Sequence, residues 1–408
     1  MPTIRVMLAI ALYNNWKLTE TIYIRQPKGF EDSLRPNHVC RLNKAIYGLK
    51  QAPRQWYNTF TSVLVSLGFR HSQSDPSLLL YTKNQVKIFL LIYVDDILVA
   101  GNDSILISSI LAKLNSEFAM KHLGEVHDFL GIQISKSNSS YFLSQAQYEY
   151  KILQQAELTS CNPLSNPTCT KLPAEFKTDS LPSDPAFYRS IAGALQYLTL
   201  TRPDISFSVN LLSQNMHDPS PKHFYLLKRL LRYIQGTLHF GLPITKTDLV
   251  LKSFSDADWA GDPVTRKSTT CFCSFSGATL VSLTVKKQRT VSRSSTESEF
   301  RALAALASDI IWLRWLLLDF GISQAYSMNL YCDNMSAIAL VNNPVFHSRT
   351  KHIEIDKKFL RDHIQQNNIT LHPISTIDQV ADILTKPLST PRFHQLRLKL
   401  TIVQDPSI

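Results

Sequence analysis

The stretch VKIFLLIYVDDILVAGND, from Val86 to Asp103, does most to limit what this chain can fold into. Two short runs of β-branched, aliphatic and aromatic residues, Lys87–Val94 and Ile97–Ala100, predict paired strands, and Gly101-Asn102-Asp103 closes the unit with turn residues. The turn between the runs holds Asp95 and Asp96. Adjacent carboxylates at the tip of an apolar hairpin are costly to crowd unless water or a cation stabilises them. A solvated turn meets that need. So does a platform for a hard divalent cation, which carboxylate oxygens suit. The four residues alone leave both readings open.

Composition narrows the partners. A chain of 408 residues is long enough for two or three domains with substantial cores. Its 44% hydrophobic and 18% charged content is that of an ordinary globular protein, while a net charge of +11 favours polyanions such as nucleic acid. Cysteines 40, 161, 169, 271, 273 and 332 form no CxxC pair and no Cys/His ligand spacing, so they read as reduced thiols without a zinc site. Arg5 and the following VMLAIAL predict an amphipathic helix ending near Asn14-Asn15, and no clear signal-peptide cleavage site follows. No stretch reaches the ~18–20 apolar residues that span a bilayer. The expectation is an intracellular protein, cytoplasmic or nuclear, neither secreted nor in a membrane; nothing indicates its oligomeric state.

Along the chain, Lys50-Gln51-Ala52-Pro53-Arg54 follows Gly48 and opens a helix, with Trp56, Phe60, Val63, Leu64 and Leu67 at helical spacing and Gly68 as its stop. Trp56 suits either a buried stripe or base stacking. Ile105–Met120 predicts a second helix, and Phe129–Ser135 with Tyr141–Leu143 a hairpin. Residues 156–183 are rich in Ser, Thr, Asn and Pro, a linker or irregular crossing. Three helices follow: after Asp184-Pro185, from near Pro203-Asp204, and between Ser220-Pro221 and Gly236. On the third, Lys228, Arg229 and Arg232 form a phosphate-contacting ridge or a solvated basic face. Beyond residue 246 a strand at Leu249–Phe254, further strands to about Val291, a long helix and alternating elements predict a mixed sheet with helices packed on it. These shifts divide the chain into 1–155, a linker at 156–183, 184–245, 246–390 and a tail at 391–408.

The order of motifs is more specific than any one of them. PNHVCRLNKAIYGLKQAPRQWYNTF (Pro36–Phe60), YVDD (Tyr93–Asp96) and FLGIQI (Phe129–Ile134) together resemble the reverse transcriptase of copia-type long-terminal-repeat retrotransposons. KKQRTVSRSSTESEF (Lys286–Phe300), RTKHIEID (Arg349–Asp356) and ADILTKPL (Ala381–Leu388) resemble the ribonuclease H that follows it. The resemblance runs from about Thr3 to Leu388 and implies an α+β / α/β multidomain chain. Its expected parts are a partial polymerase palm and thumb, a helical connection, and a ribonuclease H-like mixed sheet with flanking helices.

Residue by residue, the resemblance makes Asp95 and Asp96 polymerase metal ligands and puts Lys50, Gln51 and Arg54 in the template and nucleotide pocket. FLGIQI becomes the primer-gripping strand. Asp256, Glu299, Asp333 and Asp382 become the ribonuclease H acids, holding two Mg²⁺ ions for cleavage of the RNA strand of an RNA–DNA hybrid. Asp258 competes with Asp256, and Glu297 with Glu299, because both neighbours are acidic. Lys286, Lys287, Arg289 and Arg293 are candidates for contact with the hybrid backbone, or a solvated loop. The expected partners are an RNA–DNA hybrid, an RNA template or DNA.

The chain also departs from the family pattern. After Leu18 only Thr19-Glu20 precede TIYIRQPKGF (Thr21–Phe30), where the family has a strand bearing a third polymerase aspartate. Met1 falls inside the family's polymerase, so part of the fingers is expected to be absent. Two-metal phosphoryl transfer needs carboxylates from separate elements; the expectation is an impaired polymerase beside a complete ribonuclease H acid set. The alternative is an inactive nucleic-acid-binding remnant. Cys271 stands where the family has Gly and Leu283 where it often has Trp, and His372 matches no family catalytic position.

Overall fold

Apolar periodicity alternates between period 2 and period 3.6 along the chain, and the computed structural model turns it into strands and helices gathered in two compact units. Residues 23–42, 46, 48–137, 140–173, 184–342 and 354–406 are described here. The expected N-terminal helix, the gap after Leu18 and the first part of RTKHIEID lie outside them. Among the described residues no helix is long and apolar enough to cross a membrane.

One unit comprises residues 1–70 and 108–117. In it β1 (Tyr23–Arg25) pairs antiparallel with β2 (Val39–Arg41). Helix α1 (Ala52–Ser66) carries a proline in its first turn and buries Phe60, Thr61 and Leu64. Gly68, at φ +96°, takes the left-handed conformation that ends the helix. Trp56 packs on Phe60 with ring centroids 4.7 Å apart, the packing alternative of its two readings.

The other unit comprises residues 71–107 and 118–408. After β3 (Arg70–His71), strands β4 (Leu78–Lys83), β5 (Val86–Tyr93) and β6 (Asp96–Gly101) form an antiparallel meander; α2 (Ser104–Glu117) follows, with its residues 108–117 counted in the first unit. Tyr93 pairs with Asp96, so the tight turn is Val94-Asp95, with Val94 at φ +53°. Asp96 begins the return strand instead of sharing the turn, a one-residue correction. In the second sheet FLGIQI is not one strand. Phe129 ends β7 (Asp128–Phe129), Leu130 and Gly131 turn at positive φ, and Ile132 begins β8 (Ile132–Ser137), which pairs with β9 (Ser140–Ser144). The glycine that looked like part of a strand makes its turn.

Helix α3 (Ala146–Gln155) leads into 156–173, which is a packed crossing: Leu158 is in the core and Asn166 donates to the Leu388 carbonyl at 2.8 Å. Helices α4 (Pro185–Leu198), α5 (Ser206–Ser213) and α6 (Pro221–Gln235) follow, with Asp184 capping α4 through the amides of Ala186 and Phe187. Strand β10 (Phe240–Thr245) then returns to pair with β9.

The third sheet contains β11 (Leu251–Asp258), β12 (Thr269–Ser276), β13 (Thr279–Lys287), β14 (Met328–Cys332) and β15 (Ile369–Pro373), in the order β13-β12-β11-β14-β15. Strands β11, β14 and β15 are parallel neighbours. One face packs on α7 (Ser295–Asp319), α8 (Met335–Asn342) and α9 (Glu354–Gln365), through Phe300, Leu303, Leu330 and Leu360. The other face shares one core with α4, α5 and α6: Cys271, Cys273 and Phe275 join Leu195, Val209 and Leu231. The helices of 184–245 are therefore not a separate domain but the covering layer of this sheet. Nor is 391–408 a tail. It forms α10 (Thr390–Lys399), which buries Phe393 and Leu396, and β16 (Val403–Gln404), which pairs with β10. Burying those apolar side chains, worth about 1.5–3 kcal/mol each, draws the segment into the core. The fold is an α+β / α/β multidomain arrangement whose third sheet is mixed and carries helices on both faces.

Candidate active site

The parallel pairing of β11 with β14 puts both strand ends on one edge of the sheet. Phe254 is in register with Tyr331, so Asp256 and Asp333, each two residues on, emerge at the same level. Strand β11 runs on to Asp258, which places Asp256 within the strand and not after it as expected. The chain after β15 crosses the same edge, tied by Ile374 N–H to the Cys332 carbonyl and by the Gln379 side chain to the Ser255 carbonyl. It then forms a short 3-10 helix, Val380–Leu384, carrying Asp382. The expected final helix at Asp382 is thus a single tight turn, and the long helix comes later.

One carboxylate oxygen each from Asp256, Asp333 and Asp382 lies within 4.8 Å of the others. The same spacing joins Glu299, Cys332 and Asp333, so Asp333 belongs to both groups. Glu299 sits in the first turns of α7, whose N-cap Ser294 accepts from Glu297 N–H. Both competitors are committed elsewhere. Glu297 pairs with Arg301 at 2.6 Å and accepts from Arg293 N–H, while Asp258 accepts from Thr269 N–H.

Three of the four acids are buried, and Asp333 is half-buried. Asp256 is 1% exposed, Asp382 4% and Glu299 6%. Burial, then the charges of Asp256 and Asp333, lift the Glu299 carboxyl to about 9, against the pull of Ala257 N–H. Burial also raises Asp382, opposed by Lys386. Lys386 was not anticipated: its ammonium lies 2.5 Å from Asp382 Oδ1 and 3.1 Å from Asp256 Oδ2. Burial acts to depress its pKa, but Asp256 and Asp382 outweigh that and raise it. Thr385 donates its hydroxyl to Asp256, and Arg392 stands 3.5 Å from Asp382. The sequence held one signal for them, their place in and just beyond the ADILTKPL motif. Cys271, in place of glycine, is accommodated with its sulfur 3.1 Å from the Leu384 carbonyl. His372 bonds Asn329 and stacks on Tyr331, away from the acids in its contacts.

The remaining expected residues divide. Lys50, Gln51 and Arg54 line one groove of about 510 Å³ with Gln55 and Asn58. Asp95 and Asp96 are exposed, and among the described residues they belong to no group of three potential ligands. The α6 ridge has other work: Arg229 donates to the Thr168 carbonyl at 2.8 Å and Arg232 to the Asn162 carbonyl at 2.7 Å, fastening the irregular crossing. Those two arginines are thus not merely solvated, and Lys228 lies beside them, half-buried. Lys287 pairs with Asp262, whereas Lys286, Arg289 and Arg293 are exposed.

Residues 3–170 match the family described as reverse transcriptase (RNA-dependent DNA polymerase). The chain is 41% identical over 419 aligned residues to the retrovirus-related Pol polyprotein from transposon RE2 of Arabidopsis thaliana, covering 99% of this chain and 29% of that protein. It is 32% identical to the putative transposon Ty5-1 protein YCL074W of Saccharomyces cerevisiae, covering 60% of this chain and 80% of that one. Among solved structures, that of the foamy viral protease-reverse transcriptase in complex with RNA/DNA hybrid aligns at TM-score 0.47 and 12% identity, over 86% of this chain and 41% of that one. The chain spans less than a third of the length of the full Pol polyproteins it matches. By its sequence from end to end, it belongs to the Pol polyprotein family of copia-type retrotransposons.

Proposed function

We propose that this segment is a divalent-cation-dependent nuclease for the RNA strand of RNA–DNA hybrids, joined to a polymerase part that extends primers poorly or not at all. The observation that carries the reading is the convergence of Asp256, Asp333 and Asp382 within 4.8 Å, with Glu299 linked to them through Asp333. Carboxylates from two strand ends, a helix start and a 3-10 turn are the donor set that hard cations require, and the orphaned Glu299 Oε2 has no other partner to satisfy it. Asp256, Glu299, Asp333 and Asp382 would hold two Mg²⁺ ions, which supply activation of the attacking water and neutralisation of charge on the phosphate.

The chain's own groups do the rest. Burial, with the charges of Asp256 and Asp333 beside it, raises the Glu299 carboxyl, a strain that a bound cation would relieve. Thr385 and Gln379 orient Asp256 and its strand end by hydrogen bonds. Exposed Lys286, Arg289 and Arg293 precede the Glu299 helix and can meet the hybrid's phosphates, a contact the net charge of +11 favours. In the polymerase part, Lys50, Gln51 and Arg54 offer a polar groove for an RNA or DNA template and nucleotide. Asp95 and Asp96 together supply too few ligands for two-metal transfer.

A second reading, a binding remnant, is favoured by one observation: Lys386 already neutralises Asp256 and Asp382. Cleavage of a labelled RNA–DNA hybrid in Mg²⁺, with Asp333→Asn in parallel and primer extension on the same preparation, separates them. Cleavage abolished in Asp333→Asn, without extension, supports the nuclease. Binding without cleavage by the folded protein leaves the remnant, and clear extension overturns the impaired polymerase.

A further inference from the structure

The acid cluster contains one donor that Mg²⁺ does not need. Cys332 ends β14 fully buried, and its sulfur lies within 4.8 Å of ligand oxygens of Glu299 and Asp333. We infer that Cys332, Glu299 and Asp333 form a binding corner for a thiophilic divalent cation, Zn²⁺ or Cd²⁺, whose occupancy blocks the nuclease; this rests on the proposed reading of Glu299 and Asp333 as metal ligands.

Two independent observations aim these groups at a cation. Glu299 is 6% exposed, and its Oε2 has no hydrogen-bond partner. Leaving a buried carboxylate oxygen unpaired is costly, and a metal ion would satisfy it. The Cys332 sulfur accepts from Asn334 N–H at 3.4 Å, which favours negative charge on it, and it lies within 4.8 Å of ligand oxygens of Glu299 and Asp333.

The donor types decide which ion. Mg²⁺ demands oxygen ligands in octahedral array and gains nothing from sulfur. Zn²⁺ and Cd²⁺ prefer thiolate, and one sulfur with two carboxylates leaves a fourth tetrahedral position for water. Binding displaces the thiol proton, and the proton of a neutral Glu299, to solvent, so a thiolate and two carboxylates meet the two positive charges. Because Asp333 belongs also to the group with Asp256 and Asp382, an ion bound through Cys332 draws Asp333 away from Mg²⁺. Inhibition is then competitive with Mg²⁺. Sequence spacing does not disclose the site, since its three ligands come from a helix start and a strand end 33 residues apart that only the fold joins.

The test is Cd²⁺ titration of the full chain, followed by the sulfur-to-cadmium charge-transfer absorption. Wild type and Cys40→Ser should show a tight binding class that Cys332→Ser and Cys332→Ala lack, and Glu299→Gln should weaken it by roughly tenfold or more. Unfolding midpoints establish that each variant is folded. In parallel, the Zn²⁺ concentration that halves hybrid cleavage should rise about tenfold in Cys332→Ser and with excess Mg²⁺ in wild type. Tight Cd²⁺ binding retained in both folded Cys332 variants overturns the inference, whether or not the protein cleaves. Failure of cleavage with the absorption intact sinks the nuclease reading alone, and leaves the metal corner standing.

Discussion

Lys386 Nζ sits 2.5 Å from Asp382 Oδ1, so one of the acids proposed to hold a metal is already paired with a cation of the chain's own. The same ammonium reaches Asp256 at 3.1 Å, and its side chain is 41% exposed, with room to leave. A divalent cation at Asp256 and Asp382 therefore competes with it.

Lys386→Met should lower the Mg²⁺ concentration for half-maximal cleavage by roughly 3–10-fold, as expected for removing one close like charge from a metal site. Mn²⁺ binding, measured from the free ion's paramagnetic resonance signal, should tighten in parallel. A higher Mg²⁺ demand would instead make Lys386 an aid to metal or substrate binding.

Arg202 should be the most sensitive stability position of the helical layer. It is fully buried; its guanidinium donates to Glu149 at 2.8 Å, to Asp204 at 3.0 and 2.9 Å, and to the Thr237 carbonyl and hydroxyl at 2.9 Å. Each guanidinium N–H thus has an acceptor. Arg202→Met strands two buried carboxylates and should cost about 3–5 kcal/mol, read from urea midpoints. Arg202→Lys should lose most of that, because an ammonium cannot reproduce the bidentate pairing with Asp204.

That network also sets a pH dependence. Two carboxylates share one guanidinium, and burial lifts Glu149 to about 7 although Arg202 and its hydrogen bond pull the other way. A carboxyl whose folded pKa exceeds its unfolded value, about 4.5, binds more protons when folded, so stability falls as pH rises between those two values and levels off above the higher. Wild type should lose up to about 1 kcal/mol per pH unit in that window, and Glu149→Gln should flatten the profile. Equal slopes in the two proteins would show that Glu149 is ionised throughout.

Basic residues should separate into two classes. Lys286→Gln with Arg289→Gln should reduce the salt dependence of hybrid binding by a slope of about 2, one for each phosphate no longer neutralised. Arg232→Gln should leave that slope unchanged and cost about 1 kcal/mol of stability, since its hydrogen bond to Asn162 fastens the crossing. Fluorescence-anisotropy titrations at several salt concentrations read the first effect and chemical denaturation the second.

Elements with a strong local signal were legible from the residues. The YVDD hairpin, the Pro53 helix, the helix that Asp184 caps and the long helix that holds Glu299 each have apolar periodicity and end residues that agree, and local and tertiary preference point the same way. Errors fell where one residue type serves two structures. Gly131 in FLGIQI reads as part of an apolar strand but turns the chain, and the polar 156–173 reads as linker but is bound by Arg229 and Arg232. Residues 391–408 looked like a tail because their few apolar side chains gain meaning only against β10 and the rear of the third sheet.

By itself the sequence determined the family and the order of elements, because motif order and periodicity are properties of the chain. It left the choice between Asp256 and Asp258, and between Glu299 and Glu297, undecided, since residues two apart on a strand or helix have the same chemistry on paper. Tertiary structure places Asp256 and Glu299 in the two acid groups, and pairs Glu297 with an arginine and Asp258 with a backbone amide. It alone brought Lys386 between two acids and Cys332 against two others. The reason is physical: a site's charge balance and metal preference depend on through-space distances of a few ångströms, which parallel strand ends and a returning loop create and sequence separation does not encode.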